Sequence, residues 1–228
     1  MNFNWSRAMK RKARVAIVLL IAFTASAQNA FDPASSRDPV VWEPPDFAWP
    51  VDYPRATVPN EMAPGIKIGG WPVTLEKTEL LAAQRHFGGA IGDRGDASEA
   101  LGWLCLYRQD RSSSWVLWLE SAEINGPTIG SFTWQRLPSG ATIDRRCRHL
   151  AGQDATVDLP NSIRLGMTEE EVLSRLGKPS ARSGNTAIYA HEHDLRISSN
   201  PYTLQNCVVF TFRNGTVWAI DAARATTS

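Results

Sequence analysis

Apolar and polar positions change period in a fixed order along the second half of the chain. Met167-Thr168-Glu169-Glu170-Glu171-Val172 carries a helix start: Thr168 as N-cap, Glu171 at the third helical position, and Met167 with Val172 as a hydrophobic staple. Val172, Leu173 and Leu176 form the apolar stripe, acids in the first turn suit the helix dipole, and Gly177 with Pro179 stops the helix. Alternating strands are then predicted over 187–197, 206–213 and 216–222. Asn214-Gly215 between the last two is a hairpin signal.

An earlier stretch follows the same order with longer parts. A helix is predicted over 74–86, ending at Gly88-Gly89, then strands over 102–109, 113–121 and 129–137. Both stretches begin with Ile-x-x-Gly, at Ile66 and at Ile163. This order predicts an α+β fold of two tandem units, 65–155 and 156–228. Each is a short helix packed on one face of a curled antiparallel meander. One thin helical layer per meander leaves the opposite sheet face uncovered, and function is expected there.

Ahead of these units no period survives. Residues 28–64 hold eight prolines, with Trp42, Phe47, Trp49 and Tyr53 among them. The expectation is an extended, polyproline-like arm, whose interleaved aromatics would allow docking on its own domain or on a partner. Residues 1–27 combine basic Arg7, Lys10, Arg11, Lys12 and Arg14, an apolar run from Val15 to Phe23, and Ala25-Ser26-Ala27. Those parts make a secretory signal peptide, and the run is shorter than the roughly 18–20 residues that span hydrocarbon. With no Cys just after the cleavage site, no stable membrane anchor is expected, and the chain reads as periplasmic or secreted.

Charge follows from that cleavage. Removing five basic residues and no acid leaves 19 basic against 23 acidic residues, a net −4, with no basic stripe for nucleic acid. An exported chain meets an oxidising compartment, so Cys105, Cys147 and Cys207 are expected to give one disulfide and one free thiol. Cys105 with Cys147 is favoured because both fall in the same half, and the other two pairings stay open.

Ile163, Gly166, Met167, Thr168, Val172, Leu176, Gly177 and Pro179 resemble the start of the BamE (SmpA/OmlA) family of outer-membrane assembly proteins. The match covers about the last third of the chain. In the first half only Ile66, Gly69, Leu81 and Gly88 hint at it. The layout of short helices on a curled sheet also resembles the β-lactamase inhibitory protein (BLIP) type. BamE proteins resemble a single unit on a lipid anchor, whereas the pair and the absent anchor Cys look more like BLIP. That likeness implies a concave, aromatic-rich surface that grips another protein. The matched residues cap and terminate a helix, so the likeness bears on fold rather than activity.

Catalytic patterns are sparse. There is no Gly-x-Ser-x-Gly elbow, no P-loop and no Gly-x-Gly-x-x-Gly. Asp93, Asp96 and Glu99 in a Gly-rich loop read as solvated acids. His191 and His193 share a face of a predicted strand, without a third ligand at recognisable spacing. His149 beside Arg145, Arg146 and Arg148 reads as a basic surface patch. Trp103, Cys105 and Tyr107 alternate with Leu104 and Leu106, and Trp115, Leu117 and Leu119 with Val116 and Trp118.

These readings converge on an exported, non-catalytic protein-binding module without cofactor. Its expected partner is another envelope or extracellular protein, and its expected contacts are Trp103, Tyr107, Trp118, Trp134, Tyr189 and Trp218 on open sheet faces. One alternative is a BamE-like accessory of envelope assembly. Another is a metal-binding protein or enzyme centred on His191 and His193.

Overall fold

The computed structural model describes residues 40–46, 58–96, 100–110, 113–122, 126–197 and 200–227. The expected signal peptide and the arm residues 28–39 and 47–57 lie outside them. The elements in order are β1 (Val40–Val41), β2 (Gly65–Ile68), β3 (Trp71–Thr74), α1 (Leu80–Phe87) and β4 (Ile91–Arg94). There follow β5 (Leu101–Gln109), β6 (Ser114–Ala122), β7 (Ser131–Arg136), β8 (Thr142–Ile143), β9 (Arg148–His149) and β10 (Val157–Asp158). The chain ends with α2 (Glu169–Leu176), β11 (Ala181–Ser183), β12 (Thr186–Ile197), β13 (Asn200–Arg213) and β14 (Thr216–Thr227).

Eight strands form one antiparallel sheet in the order β11-β12-β13-β14-β7-β6-β5-β4, and β9 adds to β5 in parallel. This corrects the expected fold class: the chain is mostly β, not two helix-plus-meander tandem units. The reason is the pairing of β14 with β7, Ala219–Ala223 against Ser131–Gln135, which joins the two meanders edge to edge. Left unpaired, each of those edges would expose a row of backbone donors and acceptors.

One hydrophobic core then runs along the helix side of the sheet. Leu80, Ala83 and Phe87 of α1, Met167 beside α2 and Val172 within it pack with Leu104, Leu117, Phe132, Tyr189, Phe210 and Ile220 of the sheet. The three-stranded sheet β10-β2-β3 contributes Ile66, Ile68 and Val73 to the same cluster.

Local signals explain the helices unequally. Thr168 and Glu171 make a complete capping box, Met167 and Val172 are buried, and Gly177 ends α2 at φ 76°. Here the expected and observed helices coincide. The first helix begins at Leu80 rather than near residue 74, because Thr74 still pairs with Gly65 in β3 and Glu76 sits at φ 59°. Asn214 and Gly215 both take positive φ, as the tight hairpin between β13 and β14 requires.

The Pro-rich arm docks on the sheet at both of its described stretches. Val58 N donates to Ala190 O, and the buried Asn206 side chain clamps residues 62 and 63. Its Oδ1 accepts from Met62 N (3.2 Å) and Ala63 N (3.3 Å), while Nδ2 donates to Ala63 O and Ala223 O, both at 3.1 Å. All the hydrogen-bonding capacity of that amide is used. Arg224 adds ion pairs to Glu61 and to Glu76, each at 2.6 Å.

Candidate docking site under the Pro-rich arm

The sheet face turned away from the helices is not open where β5 and β6 run. Trp103 and Cys105 of β5 and Val116 and Trp118 of β6 form a second buried cluster with Leu137, Ala141, Cys147 and Trp42. Residues 137–149 cross this face, held by a Cys105–Cys147 disulfide that links positions 42 residues apart. The favoured pairing is the one present, and Cys207 remains a buried thiol pushed up to about 12, mainly by burial and also by Asp221.

Into the socket so made the arm inserts Trp42, 7 % exposed. The preceding β1 pairs in parallel with β8, Val40 opposite Thr142 and Val41 opposite Ile143. Trp42 meets Trp103 edge-on at 5.6 Å, its carbonyl accepts from Trp118 Nε1 at 3.0 Å, and Arg146 lies 4.1 Å over its ring. Asp144 fixes Arg146 through a 2.9 Å ion pair, and Arg146 in turn holds the Asp144 carboxyl down at about 2. Beyond Trp42, Arg94 reaches Asp46 at 2.7 Å and Glu43 at 3.7 Å.

The floor of this socket needs a glycine. Gly92 pairs with Trp103 across β4 and β5, and a Cβ there would lie 2.3 Å from Trp103 Cε2. The indole occupies the space a side chain would take.

Next to the socket, and unforeseen from sequence, two acids lie on the same sheet face. Glu120 of β6 pairs with Ser131 of β7, and Asp221 of β14 pairs with Thr133. Thr133 Oγ1 donates to Asp221 Oδ1 at 2.8 Å, and Ser131 Oγ to Glu120 Oε2 at 3.4 Å. Glu120 is 2 % exposed, and among the described residues its Oε1 has no hydrogen-bond partner. Burial, and then the neighbouring Asp221, push its carboxyl up to about 8; burial raises Asp221 to about 6.

Of the six expected contact residues, four are buried. Trp103 and Trp118 lie beneath the arm, each 1 % exposed. Trp134 (4 %) and Tyr189 (0 %) face the helix-side core, where Trp134 packs against Trp115 and Tyr189 OH donates to Gly177 O at 2.9 Å. Such side chains are already committed to packing within the chain. Tyr107 is half-buried and leans on His149. Trp218 is half-buried because a bulge opposite Thr211 and Phe212 takes it out of the alternation, and Arg213 stacks 4.2 Å over its ring.

The His191 and His193 rings do stack on one face of β12, but His191 Nδ1 sits 2.9 Å from Val58 O, engaged with the arm. Among the described residues, no group of three His, Cys, Asp or Glu is placed to hold a metal ion. Asp93 and Asp96 are exposed, as expected, and Glu99 lies outside the described residues. Two grooves open elsewhere: about 400 Å³ over β2 and β3, and about 570 Å³ beside α1 with Arg94 at its wall. Neither is lined by Glu120 or Asp221. Among the described residues no helix is long and apolar enough to cross a membrane.

No family model, curated protein or solved structure matches the chain, so the likeness to BamE and BLIP proteins rests on the residues that suggested it.

Proposed function

We propose that this chain is an exported, non-catalytic protein-binding module whose recognition site is the socket under its own arm. The observation that carries this reading is the manner in which Trp42 is held. Two residues of the arm pair in parallel with the two-residue β8, and one large aromatic fills a pocket beside them, an extended segment anchored by one side chain. Burial of Trp42 supplies the largest part of the hold, about 3 kcal/mol, the Trp118 hydrogen bond adds about 1 kcal/mol, and exposed ion pairs such as Arg94–Asp46 add little. An anchor of that size can be displaced.

The test places a photo-cross-linking residue at exposed Thr142, beside the socket, in the parent and in a Trp42→Ala chain expressed in the native envelope. In the parent, position 142 should cross-link to the chain's own arm. With Trp42 removed, one envelope protein should take its place. A Trp42→Ala chain that folds, is exported and cross-links to nothing would overturn the reading. Cleavage after Ala27, read by sequencing the mature amino terminus, tests export separately.

A further inference from the structure

We infer that the ligand of this socket is an extended segment of a partner protein that carries a tryptophan followed at short range by acidic residues. This rests on the binding-module reading and names its ligand chemistry. The argument starts from what the arm presents: Val40, Val41, Trp42, Glu43, Pro44, Pro45, Asp46.

Each part of that segment has a counterpart. Val40 and Val41 lie along β8 in parallel, which reads backbone and demands an extended segment with the same chain direction. Trp42 fills a pocket walled by Trp103 and capped by Arg146, so the anchor is a large, flat, electron-rich ring rather than an aliphatic side chain. Its carbonyl takes the Trp118 indole N–H, which fixes how deep the anchor sits.

Arg94 then selects charge. It is one-third exposed and touches the arm three times: Glu43 at 3.7 Å, Asp46 at 2.7 Å and Pro44 O at 3.5 Å. An aliphatic or basic segment would leave this guanidinium unpaired. The prolines help by holding the segment extended between the two acids, which lowers the ordering cost of binding. The chain's own arm is thus a resident copy of the ligand, and it competes at the effective concentration of a tethered segment, of the order of millimolar.

The experiment uses a dye-labelled peptide with the sequence of residues 38–46 and the full-length chain, followed by fluorescence anisotropy. Trp42→Ala, which empties the socket, should bind the peptide about a hundredfold more tightly than the parent, whose arm competes. A peptide with alanine for the tryptophan should not bind. Arg94→Glu in the Trp42→Ala background should weaken binding about threefold to fivefold, and a peptide with lysines at the Glu43 and Asp46 positions should restore it. Rescue by reversed charge cannot come from a loss of folding.

Absence of peptide binding to a Trp42→Ala chain with an intact disulfide and unfolding transition overturns the inference. So does indifference to the charge swap. If that same chain still cross-links to an envelope protein at position 142, only the ligand chemistry fails and the binding-module reading survives. Concentration-dependent self-association of the parent, abolished by Trp42→Ala, would make a second copy's arm the occupant and would also overturn the foreign partner proposed here.

Discussion

Replacing Glu120 by glutamine should change how stability depends on pH, by an amount the structure sets. In the folded chain the Glu120 carboxyl is raised from an ordinary 4.5 to about 8, first by burial and then by Asp221. Folding therefore tightens the hold on its proton, and unfolding releases it. The contribution of this group is fully present below about pH 4.5, falls as pH rises and is lost by about pH 8. At about 1.4 kcal/mol per pH unit, the loss over that window is about 5 kcal/mol. That is a large part of the roughly 5–15 kcal/mol a domain holds in total. Asp221 shifts the same way toward about 6, but it is only partly buried and should add a smaller loss that is complete by about pH 6.

Glutamine keeps an acceptor for Ser131 and cannot ionise. Urea unfolding of parent and Glu120→Gln, followed by circular dichroism at intervals from pH 5 to pH 9, measures the difference. The two should lie within about 1 kcal/mol at pH 5, since a neutral acid and an amide bury at similar cost. At pH 8.5 the variant should unfold about 2 M later in urea, for a slope of about 2 kcal/mol per molar. Parallel curves over the whole range would show that Glu120 ionises in the folded state as easily as in the unfolded, and the reasoning from burial would fail.

Other perturbations have effects of known sign. Asn206→Ala strands Met62 N, Ala63 N and O, and Ala223 O, and should cost about 3 kcal/mol, with hydrogen exchange at residues 62 and 63 rising in step. Gly92→Ala forces a methyl into the Trp103 indole and should cost about 1–3 kcal/mol by urea unfolding, whereas alanine at Gly126, where nothing is near, tests only positive φ. Thr168→Ala removes the cap of α2 and should cost about 1 kcal/mol, with Glu171→Ala non-additive because the two bonds are reciprocal. Reduction of Cys105–Cys147 reopens a loop of 42 residues, should cost about 4 kcal/mol by the loop-entropy relation, and should release Trp42, read as increased quenching of its fluorescence.

Which parts of this architecture were legible in the sequence depends on how far their causes lie along the chain. Thr168, Glu171, Met167, Val172 and Gly177 determine α2 within ten residues, and Asn214-Gly215 determines its hairpin within two, so both could be read directly. The joining of β7 to β14 has no local cause. It matches strands about 90 residues apart, and no signal in either one distinguishes an edge from a centre. The bulge at Trp218 was hidden for the same reason: it exists only relative to the register of β13. Glu120 and Asp221 did leave a signal. Each is a lone acid inside an apolar strand run, Trp115 to Leu119 before Glu120 and Val217 to Ile220 before Asp221, where alternation puts it on the same face as residues that must be buried.

The arm shows why tryptophan counting alone does not locate an open aromatic face. Trp103, Trp118, Trp134 and Tyr189 are too large for one thin helical layer to cover, and that excess was expected to leave aromatic faces open. Instead the Pro-rich arm and residues 137–149 supply the missing cover, with Trp42, Leu137, Ala141 and Cys147 on one face and residues 58–64 on the other. Proline removes regular hydrogen bonding from the arm, so its backbone cannot form a layer of its own and borrows partners where it can. It takes them from β8, from Ala190 O, and from the side chains of Asn206 and Trp118. The two stretches are held differently. Residues 58–64 are held by a buried amide and paired charges that cannot be given up without stranding polar groups. Val40–Asp46 is held by one indole, a two-residue pairing with β8, the Trp118 hydrogen bond to Trp42 O and exposed ions, a set that a competing extended segment with the same features can replace. Release of the arm should therefore stop short of residue 58, leaving the helix-side core intact while the Trp42 socket empties.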